Sequence, residues 1–191
     1  MFIEVSGLQQ VGKTTLIKKL PNYFFTYKFP FTDIYKGLDF KNEWEFCQTK
    51  DITMLDISNT LNVDIISDRG PLSSVFYCLL RNKCNKHQAQ NFLEFILEKY
   101  ENWNPSWIWT DNNQNIGKRN RNDSYDDLEN FDKSYITDVK NHIFNIVRRR
   151  RTIHTFYNDF KKPIDLNALN FQKFINGVKN ENYLRHCCRK Y

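Results

Sequence analysis

The chain predicts an α/β architecture, one parallel sheet of five strands flanked by helices, and two observations carry that expectation. Short apolar runs of strand length alternate with longer runs at helical spacing. The first run, Met1 to Val5, leads straight into a glycine-bearing turn and then into a helical stretch, the opening of a sheet wound with helices.

The elements follow in order. Met1 to Val5 is the first strand, and the helix after it runs from about Gly12 to Leu20, ended by Pro21. Tyr23 to Lys28 forms a second strand, stopped by Pro30. Helical segments cover Asn42 to Gln48 and Ile52 to Leu61. The third strand, Val63 to Ser67, delivers Asp68-Arg69-Gly70 at its C-terminal end. Leu72 to Leu80 and Gln88 to Tyr100 read as helices, the second with Phe92, Phe95, Ile96 and Tyr100 on one face. Pro105 introduces a fourth strand, Trp107 to Thr110. Asp111 to Asp123 reads as an exposed loop carrying Lys118, Arg119 and Arg121. Leu128, Phe131, Tyr135, Val139, Ile143 and Ile146 mark a long helix ending near Arg150, followed by a fifth strand, Thr152 to Tyr157. The last helix carries Leu169, Phe171, Phe174, Ile175 and Val178, and all these stripes are read as core.

At 191 residues and 40% hydrophobic content the chain suits one domain spanning 1–191, with a loop at about 112–123 and a polar tail at about 180–191. It holds no run of eighteen apolar residues, and its first residues are expected to enter a strand directly, so no signal peptide is expected. The expectation is a cytoplasmic protein with no membrane partner. The cysteines, Cys47, Cys78, Cys84, Cys187 and Cys188, lack a C-x-x-C spacing and are expected as reduced thiols. His186-Cys187-Cys188 offers metal-ligating side chains, but a frayed terminus is the plainer reading. A net charge of +6, with a run at Arg148-Arg149-Arg150-Arg151, favours anionic partners. Mononucleotides and nucleic acid both qualify, and a homodimer is allowed.

The chemistry concentrates at Gly7-Leu8-Gln9-Gln10-Val11-Gly12-Lys13-Thr14, which fits G-x-x-x-x-G-K-[ST] between a strand and a helix. A triphosphate is best held by converging backbone N–H groups above a helix N-terminus, which requires glycine at the turn. Lys13 reaches the β- and γ-phosphates, and the Thr14 hydroxyl serves Mg²⁺. ATP and Mg²⁺ are therefore the expected cofactors, and the sheet becomes that of a three-layer P-loop NTPase. Asp68-Arg69, at the end of a strand, pairs a metal-ordering carboxylate with an anion-holding cation, or else is a surface ion pair. Lys28-Phe29-Pro30 and Asp33 leave the second strand, where Phe29 either walls a base or belongs to the core. Lys118, Arg119 and Arg121 form either a closing cationic loop or a solvated charge run.

Taken together, Gly7-x-x-x-x-Gly12-Lys13-Thr14-Thr15, Lys28-Phe29-Pro30, Ser67-Asp68-Arg69 with Ser73-Ser74-Val75-Phe76-Tyr77, and an arginine-bearing loop resemble thymidylate kinase and its deoxynucleoside monophosphate kinase and deoxynucleoside kinase relatives. Many viruses and phages encode such proteins. The resemblance spans about Met1 to Tyr135. It implies that Gly7 to Thr15 hold ATP phosphates, that Thr14 and Asp68 organise Mg²⁺, and that Arg69 meets the phosphoryl end of the acceptor. Phe29 would face the acceptor base, Ser74 and Tyr77 would line its pocket, and Arg119 and Arg121 would close over it.

Three departures stand out. The arginine that usually follows Phe-Pro is absent, leaving Lys28 or Lys36 to replace it. Cys78 stands where Gln is common, and Gly70 where Tyr is usual. The first functional reading is transfer of the ATP γ-phosphoryl group to a deoxynucleoside monophosphate resembling dTMP. The second is transfer to a hydroxyl, on a nucleoside or on a base or end in DNA or RNA, with Asp33 as base. A nucleotide-dependent switch is the third, disfavoured by Asp68-Arg69, by the loop arginines and by the lack of an Asn-Lys-x-Asp sequence.

Overall fold

Phe2–Gly7 is buried along its whole length, as the central strand of a parallel sheet must be. It forms β1 in the computed structural model, which describes residues 1–8, 11–21, 25–28, 42–61, 63–101, 105–112 and 131–188. The other strands are β2 (Phe25–Lys28), β3 (Ile65–Asp68), β4 (Ser106–Asn112) and β5 (Ile153–Asn158). They form one five-stranded sheet in the order β2-β3-β1-β4-β5. Every pairing is parallel. Among the described residues the helices are α1 (Lys13–Lys18), α2 (Glu43–Thr60), α3 (Pro71–Leu80), α4 (Lys86–Lys99), α5 (Lys133–Arg148) and α6 (Ile164–Cys188).

Strand periodicity sorts β1 between two cores. Ile3 and Val5 join Leu16 and Ile17 of α1 and Phe171, Ile175 and Val178 of α6 on one face. Phe2 joins the larger cluster on the other face, built from α2 to α5 around Trp107 and Trp109. The result is the expected three-layer arrangement. The chain leaves β1 for α1 on one face and leaves β3 for α3 on the other. The carboxyl ends of these adjacent strands therefore open a crevice, the topological switch point of the sheet.

Several elements differ from the sequence expectation for physical reasons. The two segments proposed over 42–61 are a single helix, α2, because the polar residues that divide the apolar pattern, Lys50 and Asp51, are themselves inside, with Asp51 buried. β4 continues through Asp111 and Asn112, which pair with Tyr157 and Asn158, so these two residues belong to the strand rather than to the expected loop, whose remainder, 113–123, lies outside the described residues. Asp111 is also an ion-pair partner of Lys140 at 3.3 Å. α6 runs helically to Cys188 through most of the expected polar tail. Three residues assigned to core stripes are exposed: Phe95, Tyr135 and Leu169. α6 docks instead through Ala168, Phe171, Ile175 and Val178, while Phe95 lies at the rim of a surface cavity of about 390 Å³ between α2 and α4.

The basic run at the end of α5 is largely engaged within the fold. Arg150 pairs with Glu98 at 3.0 Å, Arg149 approaches Glu94 at 4.0 Å, and Arg151 donates to the Glu101 carbonyl at 2.9 Å. Cys47, Cys78 and Cys84 are buried free thiols, and contact with Cys47 together with burial pushes the Cys78 thiol up. No helix among the described residues is long and apolar enough to cross a membrane.

Candidate active site

The crevice between the carboxyl ends of β1 and β3 brings together Lys13, Asp68 and Arg69, three of the charged groups that the sequence marked. Gly7 ends β1 with φ 137°, and a Cβ there would stand 2.1 Å from the Thr110 carbonyl oxygen of β4. Gly12, at φ 83°, caps α1 in the left-handed region, where a side chain would also strike Asn158 Nδ2 at 2.4 Å. Both glycines are thus required by close approach as well as by backbone conformation. Leu8 and Val11 anchor the loop by burying their side chains in the larger core. Thr15 is exposed.

Lys13 is 5% exposed, and its ammonium donates to the carbonyls of Gly7 at 3.0 Å and Leu8 at 2.6 Å. Burial, followed by the neighbouring Arg69, lowers its pKa to about 7, against the opposing pull of Asp68. The lysine therefore closes the loop onto itself. Across the crevice the Thr14 hydroxyl donates to Asp68 Oδ2. Asp68 is buried, and its Oδ1 has no hydrogen-bond partner among the described residues.

Arg69 follows with φ 82°, a left-handed conformation that costs a residue with a Cβ roughly 1–2 kcal/mol. Its N–H reaches the Val5 carbonyl at 3.2 Å, its carbonyl accepts from Ser67 Oγ at 2.5 Å, and its guanidinium lies 5.0 Å from the Tyr77 ring centre. The Tyr77 hydroxyl in turn points back to the Gly7 carbonyl at 3.5 Å. Ser74 is buried on the same helix. Gly7, Leu8, Val11, Gly12, Lys13, Thr14, Asp68, Arg69, Ser74 and Tyr77 thus converge around this crevice, and Lys28 joins them through the backbone register of β2, which aligns it with Asp68. Gln9, Gln10, Phe29, Pro30, Asp33, Lys36, Lys118, Arg119 and Arg121 lie outside the described residues.

Three contributions escaped the sequence reading. Asn158, at the end of β5, is fully buried and donates from Nδ2 to the Val11 carbonyl at 2.8 Å, holding the loop from below. Lys50 and Asp51 form an ion pair of 2.8 Å inside the protein, and Lys50 donates to Ser74 Oγ at 3.1 Å. Burial opposes the charge on Lys50, but the adjacent Asp51 carboxylate outweighs it and holds the ammonium above its ordinary pKa. Glu4 is fully buried in β1, where burial raises its pKa to about 7 against several hydrogen bonds. The signal for Glu4 was present: a lone carboxylate inside an apolar strand requires partners.

No protein-family model matches the chain, and no curated protein matches it. Solved structures do. A thymidylate kinase from Candida albicans aligns with 94% of this chain and 92% of its own length at 19% identity and a TM-score of 0.58. A deoxyadenosine kinase from M. mycoides, with the products dCMP and a flexible dCDP bound, aligns with 93% of this chain and all of its own at 19% identity, TM-score 0.52. The same enzyme with bound dATP gives 14% identity over 92% of this chain and a TM-score of 0.53. At these identities the likeness is one of fold, and the fold is the expected parallel α/β sheet with flanking helices.

Proposed function

We propose that this chain is an ATP- and Mg²⁺-dependent kinase that transfers the γ-phosphoryl group of ATP to a deoxynucleoside monophosphate resembling dTMP. The observation that carries the reading is the Thr14–Asp68 pair set beside Lys13 and Arg69 at the mouth of the β1–β3 crevice. That oxygen-only donor set, with Asp68 Oδ1 unpartnered among the described residues, fits a hard divalent cation. Thr14 and Asp68 would hold the ion, which when bound neutralises charge on the phosphates.

The chain's own groups account for the rest. Amides of the loop from Gly7 to Thr15 receive the phosphates, and Lys13 turns from the Gly7 and Leu8 carbonyls to the β- and γ-oxygens. An acceptor phosphate oxygen attacks the γ-phosphorus while the bond to the departing diphosphate breaks, and Arg69 holds the acceptor's charge. Ser74 and Tyr77 line its pocket, with Lys28, Phe29 and Pro30 on the β2 side. Arg119 and Arg121 supply cationic cover during transfer. The work is carried out on soluble nucleotides in the cytoplasm.

A second reading draws support from the likeness to a kinase whose named substrate is a nucleoside, deoxyadenosine. There the acceptor is a hydroxyl and Asp33 takes its proton. ATP labelled at the γ-position, offered with deoxynucleoside monophosphates, nucleosides and oligonucleotides, separates the two. Labelled diphosphates support the first reading. Labelled monophosphates formed from the nucleosides, or labelled oligonucleotides, with no labelled diphosphate formed from the offered monophosphates, overturn it.

A further inference from the structure

Glu4 has no part in the phosphate chemistry above, yet it stands in the middle of β1 on the face that carries Phe2 into the larger core. Its carboxylate accepts from the backbone N–H of Leu72 at 2.9 Å and of Ser73 at 2.8 Å, and from the Ser6 hydroxyl. Ser73 Oγ completes the cluster by donating to Ser6 Oγ at 2.9 Å. Leu72 and Ser73 belong to the first turn of α3, immediately after Asp68-Arg69-Gly70. Lys50 and Asp51 of α2 are the charged groups that face Glu4 across the interior.

Gly70 belongs to this arrangement. Its φ of 178° is extended backbone open to any residue, so the glycine is not required by conformation. A Cβ there would stand 3.0 Å from the Glu4 carboxylate. The residue that departs from the family's usual Tyr is thus small because Glu4 occupies the space. β1 consequently grips the segment from Arg69 to Ser73 twice: the Val5 carbonyl takes the Arg69 N–H, and the Glu4 carboxylate takes the amides of α3. Between the two grips lies the left-handed Arg69, a conformation that persists only where its surroundings impose it.

We propose that Glu4 is the positioning residue for Arg69, fixing the first turn of α3 against β1 so that Arg69 keeps its left-handed backbone and its guanidinium stays on Tyr77. What Arg69 does with that position rests on the kinase reading. Glu4→Gln leaves a single carbonyl where two amides need acceptors, and Gly70→Ala presses a methyl group against the carboxylate, so the second variant reports independently should the first fail to fold. Both are made in the full chain. Steady-state kinetics are read with ATP and the deoxynucleoside monophosphates, and the Arg69 Nε–H resonance is followed by NMR in the unliganded protein. The expected result is a shifted Arg69 resonance and an acceptor KM raised about 10-fold or more, with the KM for ATP within about twofold, on the scale that small misplacement of a catalytic group produces.

A lower Tm with the acceptor KM and the Arg69 resonance both unchanged would reduce Glu4 to a helix cap and overturn the inference. Equal rises in both KM values would do the same, since general loosening has no preference for the acceptor. A wild-type protein that phosphorylates no acceptor defeats the kinase reading alone, and the resonance still decides the role of Glu4.

Discussion

The two sides of the crevice are built by opposite means. On the side of the loop after β1 the surface is backbone: Gly7 and Gly12 allow the close approach, Leu8 and Val11 pin the loop into the core, and Asn158 takes the Val11 carbonyl. On the α2–α3 side it is polar side chains that matter: the Glu4 carboxylate takes the amides of Leu72 and Ser73, and Lys50 links Asp51 to Ser74. A backbone cradle for phosphate has little choice of residue type or spacing, so unrelated chains share it. A buried polar cluster has many solutions, each dependent on which helices meet. The loop side therefore carries a motif, and the α2–α3 side carries the chain's individuality.

The sharpest way to break this contrast is Lys13→Ala. On the proposed kinase reading, Lys13 supplies charge to the β- and γ-phosphates from the backbone-built half. Its loss should lower kcat by about 10³-fold or more in a protein of unchanged fold, measured by turnover of labelled ATP. Near-normal transfer would remove the phosphate loop from the mechanism.

Glu4 tests the side-chain-built half through pH. Its folded pKa of about 7 lies above the ordinary value of 4.5, because burial disfavours the ionised form. The folded state thus binds the proton more tightly than the unfolded chain. The stability this confers is full below about pH 4.5, falls as pH rises, and is gone above about 7, a change of about 3 kcal/mol. Glu4→Gln should flatten that part of the stability profile, as followed by urea unfolding across the pH range. An unaltered slope would mean that another group titrates.

Asp68 and Arg69 divide the crevice between its two halves. Asp68→Asn should raise the Mg²⁺ concentration needed for half-maximal rate, whereas Arg69→Ala should mainly raise the acceptor KM, each by roughly 10²-fold in kcat/KM at limiting Mg²⁺ or acceptor. Small and equal losses at saturating substrate would leave Asp68 and Arg69 without a role in transfer. The mildest effect belongs to Asn158→Ala. It deletes one buried hydrogen bond to the loop and should raise the KM for ATP by about 10-fold, as the loss of roughly 1.4 kcal/mol requires, with the acceptor KM unmoved.

Much of this molecule is determined by sequence alone, for a local reason. Strand length, helix period and the glycine-lysine spacing are properties of neighbouring residues. The five strands, the glycine turn between β1 and α1, and the position of Asp68-Arg69 at a strand end can all be read without a third dimension. Tertiary structure decided what the polar residues inside the protein are for. Lys50-Asp51 reads as a solvated interruption between two helices until α3 packs beside it and makes it the interior of one. Asn158 resembles any polar strand end until β5 takes its place beside β4, within reach of the loop after β1. Gly70 and Glu4 are explained only by each other, from elements 66 residues apart in number and in contact in space. A buried polar group and a solvated one are the same letter, and only the partners that packing supplies separate the two.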